Sequence, residues 1–269
     1  MLRSEIVSLP RISIVTPSYN QAAYLERAIG SVLDQNYPAL EYLVLDGGST
    51  DGSAEIIRRH AARLAFSRSS PDGGQAAAIG EGFSRASGEI LAWLNSDDYF
   101  EPGALHAVGE AFAREPDADI VYGDLRWVDD RGARLFTAHL VLDLRVLAYE
   151  SPYVAQPAMF WRRSIYQKAG GLDPAYRFAM DFDLVVRMLL AGARPRKLRR
   201  VLTNFRVHEA AKSSTLREVC DAEVARTIER HGLASGGKAA REAKKWLARG
   251  YRFLRDPRCI VSALESRLR

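Results

Sequence analysis

The chain is poor in cysteine, with Cys220 and Cys259 the only two in 269 residues. Two thiols so far apart give neither a disulfide framework nor the spacing of a thiolate metal site, so a reducing cytoplasm is the expected compartment. No apolar run approaches the roughly 20 residues needed to span a bilayer. Met1 to Pro10 contains no apolar segment of signal-peptide type, so a secretory signal is not expected. A G-x-G-x-x-G after the first β-rich run is missing, as is any P-loop sequence, which argues against a dinucleotide fingerprint and a Walker-type nucleotide site. Internal repeats and low-complexity tracts are absent too.

Excess charge is also scarce over most of the length. The net charge of +5 divides into about −2 for residues 1–235 and +7 for residues 236–269. The basic character therefore belongs to the tail, and a high isoelectric point is no argument for a nucleic-acid partner. What the body does contain is alternation. Short β-rich runs occur at Arg11–Thr16, Tyr42–Leu45, Leu64–Phe66, Glu89–Leu94 and Asp119–Tyr122. Helical periodicity falls between them, with Leu25, Ala28, Ile29, Val32 and Leu33 on one face, Ile56, Ile57, Ala61 and Leu64 on the next, then Ala76–Ala86, then Leu105, Val108 and Phe112. This pattern predicts βαβ units and an α/β fold with a mostly parallel central sheet. Beyond Tyr122 it predicts a hairpin around Asp129–Gly132 and a strand over Ala155–Trp161. Helices follow at Arg163–Ala169, Phe182–Ala191 and Thr215–Arg230, with a last strand at Val201–Val207.

Polar clusters follow the strands: Pro17 to Asn20, Asp46 to Thr50, Asp72 to Gln75 and Asn95 to Asp98. In open α/β sheets ligands bind beyond the carboxyl ends of the strands, so these loops are expected to share one crevice. A crevice rich in carboxylates repels phosphate unless a divalent cation such as Mg²⁺ or Mn²⁺ intervenes. Metal-assisted chemistry on a phosphate-bearing substrate is the reaction class this implies.

Five stretches together resemble a family-2 glycosyltransferase with the GT-A fold. They are Ile14–Asn20 (IVTPSYN), Asp46–Ser53 (DGGSTDGS), Ala92–Asp98 (AWLNSDD), Asp181–Arg187 (DFDLVVR) and Phe205–His208 (FRVH), in the family's order over roughly residues 10–210. The resemblance implies inverting transfer of a sugar from a nucleotide-diphosphate donor, with a UDP- or dTDP-sugar favoured, to the hydroxyl of a saccharide or lipid-linked acceptor in cell-surface polysaccharide or glycolipid synthesis. It implies that Thr16, Pro17, Tyr19, Asn20 and Asp46 hold the nucleoside, with Asp46 accepting from the base and Asp72 beside the base or ribose. Asn95-Ser96-Asp97 stands at the family's D-x-D motif, where an amide replaces the first acid. There Asp97 is expected to bind the metal, with Asp98 and His208 as further ligands and Asn95 and Ser96 near the donor.

Transfer also needs a carboxylate to take the acceptor proton. Asp181 is the candidate base, although Met180 precedes it where the family has a glutamate. Asp183 is its rival and, at a helix start, also reads as a cap or structural support. Arg187 reads as a structural ion pair. Gln156, Trp161 and Arg162 fall where an acceptor would approach.

A sugar-phosphate nucleotidyltransferase is a poorer match, because Pro17-Ser18-Tyr19-Asn20 replaces the expected basic glycine-rich loop. A non-catalytic nucleotide-sugar-binding module is the second alternative, favoured by Asn95 and Met180. Residues 1–235 are expected to form the transferase domain and 236–269 a basic amphipathic helical tail. The tail's Trp246, Leu247, Tyr251, Phe253 and Leu254 lie among lysines and arginines. Such a helix can lie on an anionic membrane or pack on the body with its charges in water.

Overall fold

A computed structural model describes residues 8–151, 153–209 and 217–266. The first half follows the alternation. Strand β1 (Ile12–Ser18) leads to α1 (Ala22–Leu33), β2 (Leu40–Asp46) to α2 (Ser53–His60), and β3 (Phe66–Ser69) to α3 (Gln75–Arg85). Then come β4 (Ile90–Trp93), β5 (Tyr99–Phe100), α4 (Ala104–Arg114) and the hairpin β6 (Ile120–Val128) and β7 (Arg134–Ala138). The remainder is α5 (Leu144–Tyr149), β8 (Met159–Arg162), α6 (Arg163–Lys168), α7 (Met180–Leu190), β9 (Pro195–Arg206), α8 (Arg217–Arg230), α9 (Lys238–Arg255) and α10 (Arg258–Glu265).

All these strands join one sheet in the order β3-β2-β1-β4-β8-β6-β9-β5, with β7 added on β6. The half β3-β2-β1-β4 is wholly parallel. Beyond it β8 runs antiparallel to both β4 and β6, while β6 and β9 are parallel. Strand β1 is buried along its whole length, as a central strand covered on both faces must be. Its side chains divide by period two. Ile12 and Ile14 join a core with Leu25, Ile29 and Val32 of α1, and Val15 joins a second core with Phe83 and Trp93.

The sequence expectations fail where polar residues build strands. The third strand is not Leu64–Phe66 but Phe66–Ser69, whose Ser-Arg-Ser sequence suits a half-exposed sheet edge. Asp119–Tyr122 and Arg126–Val128 are one strand, β6. Gly123 in its middle is required, because a Cβ there would lie 2.5 Å from Leu202 Cγ. Strand β9 starts at Pro195 rather than Val201, since its basic first half pairs with β6 while staying partly in water. Gln156–Ala158 is a single 3₁₀ turn, leaving only Met159–Arg162 extended. Helix α2 stops at His60, and Ala61 is exposed rather than buried.

The tail is docked on the body. Helix α9 packs on α5, and Glu150 just beyond α5 receives both Arg249 and Arg252. No helix among the described residues is long and apolar enough to cross a membrane.

Candidate functional site

The loops after β1 and β2 are tied to each other. Asn20, at φ 50°, accepts from the Thr50 N–H at 3.0 Å and donates its own N–H to Ser49 Oγ at 2.7 Å. Asp51 accepts from the N–H groups of Ala22 and Ser53, so one carboxylate caps the start of α1 and shapes the start of α2. Asp46 supports the same loop from within. Fully buried, its carboxylate accepts from Gly48 N, Ser49 N, Ser49 Oγ and Ser69 Oγ. These donors come from the β2 loop and from Ser69 of β3. Thr16 is engaged within the fold as well. Its side chain is buried and hydrogen-bonded to the Tyr42 hydroxyl, 2.9 Å away. Pro17 is buried, at a point of β1 that β4 no longer reaches, so its missing N–H costs no ladder bond.

Two of the residues expected at the donor are exposed and adjacent. Tyr19 is 63% exposed, which is unusual for so large a ring. Gly47 lies between it and Asp72, because a Cβ on Gly47 would sit 3.3 Å from Tyr19 Cδ2 and 3.4 Å from Asp72 Oδ1. Asp72 is held by Gly74 N at 2.7 Å and by Arg68 at 3.2 Å, and Arg68 is held by Glu81 at 2.9 Å. An aromatic face, a glycine floor and an oriented carboxylate therefore meet at one place.

The turn after β4 carries the next group. Asn95 Oδ1 accepts from Gln75 Nε2 at 2.8 Å, and Ser96 is buried. Asp97 and Asp98, adjacent in sequence, point to different tasks. Asp97 Oδ2 lies 3.1 Å from His208 Nε2, and its side chain retains some exposure. Asp98 is almost completely buried and accepts the backbone N–H of Arg206 at 3.0 Å. Burial, and then the charge of Asp97, push its carboxyl well above the usual carboxylate range. Asp98 therefore anchors β9 to the turn. Among the described residues no three His, Cys, Asp or Glu side chains converge on one point. Asp97 and His208 remain as a two-donor set. Mg²⁺ and Mn²⁺ sites are commonly completed by substrate phosphate oxygens and water, so this pair fits such an ion.

The frame behind that pair is not evident from the sequence. Arg206, also buried, gives Nε to the Asp97 carbonyl at 3.1 Å and lies 4.9 Å from the Tyr24 ring centroid. The Tyr24 ring packs 4.7 Å from that of His208, and its hydroxyl donates to Asp130 on the β6–β7 turn. Tyr24 lies outside the apolar face that the sequence marks on α1, and Arg206 enters the sequence reading only within the Phe205–His208 stretch.

Asp181 lies in the first turn of α7, and its carboxylate accepts the Phe182 N–H at 2.8 Å. Burial, and more weakly the charge of Glu223, raise its pKa to about 6. Tyr153 relates it to the β4 turn. Its buried hydroxyl is driven far above the ordinary phenol value by burial first, then by the charges of Asp98 and Asp181. Asp183 behaves as structural support: fully buried, it takes Arg187 Nη2 at 2.7 Å, and Arg187 bonds on to the Ala169 carbonyl. Met180 is a core residue, so a glutamate at that position would have to enter the apolar interior.

Glu223 of α8 is a residue the sequence did not point out. Its carboxylate accepts three successive N–H groups, Arg177, Phe178 and Ala179, at 2.8–2.9 Å, which fixes the segment leading into Asp181. Burial opposes ionisation of Glu223, but these donors outweigh it and hold its pKa below the ordinary value. Glu223→Ala strands three donors, each a potential desolvation cost of about 1–3 kcal/mol. With partial access of water the expected loss in urea unfolding is about 2–3 kcal/mol. An m-value-corrected loss under 0.5 kcal/mol would refute the role.

Gln156 and Trp161, expected where the acceptor approaches, both sit in the interior. Gln156 is buried and donates to the Trp93 carbonyl at 2.8 Å. Trp161 is completely buried, edge-on to Trp93 with ring centroids 5.4 Å apart. Arg162 is spent on the carbonyls of Ala118 and Phe112.

The chain is 30% identical over 204 residues to an uncharacterized glycosyltransferase of Mycobacterium tuberculosis, covering 74% of this chain and 76% of that one. It is 27% identical over 191 residues to the chondroitin synthase of Pasteurella multocida, covering 70% of this chain but only 20% of the synthase. It is 30% identical over 214 residues to the O-antigen biosynthesis protein RfbC of Myxococcus xanthus, covering 76% of this chain and 16% of RfbC. The chain thus spans less than a quarter of the length of those two relatives. Among solved structures, S. aureus TarS 1–349 in complex with UDP-GlcNAc superposes with a TM-score of 0.65 at 19% identity, over 87% of this chain and 70% of that one. The mannosyltransferase PcManGT of Pyrobaculum calidifontis, in complex with GDP-Man and Mn²⁺, gives 0.58 at 18% identity, over 96% and 85%. Both share the GT-A fold. Residues 13–170 match the description Glycosyl transferase family 2, and the chain belongs to that family.

Proposed function

We propose that the protein is an inverting, metal-dependent glycosyltransferase that moves a sugar from a UDP- or dTDP-sugar to an acceptor hydroxyl in cell-surface polysaccharide or glycolipid assembly. The observation that carries this reading is the Asp97–His208 pair at 3.1 Å, beyond the ends of β4 and β9, in a sheet whose β1, β2 and β3 loops supply the Tyr19–Gly47–Asp72 cradle. The Tyr19 ring offers a stacking face to a base, and the Asp72 carboxylate an acceptor for a base or ribose donor. Asp97 and His208 would hold the cation, whose contribution when bound is to neutralise charge on the departing diphosphate.

The remaining chemistry belongs to Asp181. Its carboxylate takes the proton of the acceptor hydroxyl as that oxygen bonds to the anomeric carbon. The bond from that carbon to the nucleoside diphosphate breaks with its electron pair on the leaving oxygen. One such displacement inverts the anomeric centre. The chondroitin synthase and RfbC likenesses support a saccharide acceptor, free or lipid-linked.

The test is a thermal-shift screen of UDP, dTDP and GDP with and without Mn²⁺ or Mg²⁺. At a ligand concentration about 100 times Kd, binding to the folded state adds about 2.7 kcal/mol, so a rise in Tm of several degrees is expected with UDP or dTDP plus metal. The shift should vanish in Asp97→Ala. No shift with any nucleotide–metal pair would refute the proposal. A shift with no turnover on any donor and acceptor would identify the non-catalytic nucleotide-sugar-binding module instead.

A further inference from the structure

Four aromatic rings at the carboxyl edge of the sheet are packed against one another without being sealed. Trp127 of β6 stands in register with Phe205 of β9 on one side and with Phe136 of β7 on the other, so these three side chains share one face of the sheet. Ring centroids are 4.7 Å apart for Trp127 and Phe205 and 5.1 Å apart for Trp127 and Phe136, whose planes lie 17° from parallel. Tyr153 completes the row at 6.0 Å from Trp127. All four are half-buried, whereas Trp93 of β4 and Phe160 and Trp161 of β8 are sealed in the core.

The row lies beside the site. Strands β4 and β6 both run antiparallel to β8, so Trp127 and the Asn95–Asp98 turn stand at the same edge of the sheet. Phe205 immediately precedes Arg206, which bonds the Asp97 carbonyl. Thr203, two residues before Phe205 and on its face, gives Oγ1 to the Pro157 carbonyl at 2.7 Å and so holds the segment that follows Tyr153 over that face. Val154, next to Tyr153, belongs to the core that contains Met180 and Phe182, the two neighbours of Asp181. The charge of Asp181 is felt at the Tyr153 hydroxyl. In the strand order, β4 separates β1, β2 and β3, whose loops form the Tyr19–Gly47–Asp72 cradle, from β6, β7 and β9, which carry the rings.

We propose that this row is the acceptor subsite, a stacking wall for the pyranose rings of a saccharide chain whose terminal hydroxyl reaches Asp181. The inference rests on the transferase reading above, and it supplies the acceptor contacts that Gln156 and Trp161, both interior, do not. A pyranose is amphipathic: the C–H groups of its face meet an aromatic ring, while the hydroxyls of its rim need hydrogen-bond partners. The row offers both. The Trp127 indole N–H approaches the Tyr153 hydroxyl without completing a hydrogen bond, and no described residue accepts that hydroxyl's proton. A sugar hydroxyl can accept it. An alkyl chain would cover the rings and leave the hydroxyl unpaired in a dry contact, which is costly.

The test reads Trp127 emission in a Trp246→Phe background, where the other two tryptophans, Trp93 and Trp161, are sealed from solvent. Cellotetraose, maltotetraose and a chondroitin tetrasaccharide are titrated in the presence of UDP and Mn²⁺, with 1-octanol as the alkyl probe. At least one tetrasaccharide should change the emission saturably. Methyl β-glucoside should bind about tenfold more weakly or worse, because it lacks the contacts of the further rings. Phe136→Leu keeps an apolar side chain but removes a stacking face, and Tyr153→Phe removes the hydroxyl alone. Each should weaken tetrasaccharide binding about threefold or more while Tm and the metal-dependent nucleotide shift persist, whereas a merely structural role would lower all three together. No saccharide response, a response to 1-octanol alone, or tetrasaccharide affinity unmoved by both variants would overturn the inference and leave the nucleotide shift, and with it the donor reading, standing. A saccharide response with no nucleotide shift would instead refute the transferase reading on which the acceptor role rests.

Discussion

Asp181→Asn is expected to lower kcat by roughly 10²–10⁴-fold, the usual contribution of a positioned general base, while leaving the metal-dependent nucleotide shift intact. The amide keeps the shape of the carboxylate and can still accept the Phe182 N–H, so loss of rate without loss of binding isolates the proton transfer. The pH dependence follows from its environment. A base must be ionised, and with a pKa near 6 the wild-type rate should rise through pH 6 to a plateau above about pH 7. The variant's residual rate should lack that limb.

Stability supplies an independent check with the opposite sign. The folded-state pKa lies above that of an unfolded aspartate, so the native state favours the protonated form. As pH rises from about 4 to about 6 this residue progressively costs stability, and above that the cost is constant. Asp181→Asn removes a burdened charge and should leave Tm at pH 7.5 unchanged or higher. A variant with full activity, or one whose lost rate accompanies a fallen Tm and lost nucleotide binding, would end the assignment of Asp181 as base.

The contrast between Asp181 and Asp46 shows what the sequence made legible and what it hid. The buried face of α1 was readable residue by residue, because helical periodicity is a direct record of which side meets the core. The loops at the strand ends were readable for a similar reason, since turn residues after apolar runs mark the carboxyl edge of a parallel sheet. The direction of a carboxylate within such a loop is not periodic. Asp46 turns inward to organise four donors, and Asp72, on the next loop, faces the cradle with Tyr19. Asp97 and Asp98 differ in the same way: one side chain lies beside His208, the other is spent on the backbone of Arg206. Contacts far apart in sequence decide these outcomes. Glu223 and Arg206 acquire their importance only when α8 and β9 fold back onto the site.

The second large effect lies away from the site. Asp124→Ala is expected to cost about 3–5 kcal/mol, the range for removing one member of a buried ion-pair network. Asp124 is 1% exposed and serves three cationic or cationisable groups: Lys197 at 3.1 Å, Arg258 at 2.8 Å and His139 at 3.0 Å. Lys197 and Arg258 are shared with Asp256, so the network joins β6 and β9 to the start of α10. Deleting Asp124 leaves two buried or half-buried cations to share one carboxylate. Burial alone would raise the pKa of Asp256, but Arg258 and Lys197 reverse this and hold it well below the ordinary value. A depressed carboxylate contributes stability that is fully present above the unfolded-state pKa near 4 and is lost as pH falls through the folded value. Urea unfolding at pH 7 and at pH 3 should therefore show a larger drop in wild type than in Asp256→Asn. In a double-mutant cycle Asp124→Ala and Arg258→Ala should couple by about 0.5–3 kcal/mol. If the tail were independent of the transferase body, the cycle would close at zero and Asp124→Ala would leave the unfolding of the tail unchanged.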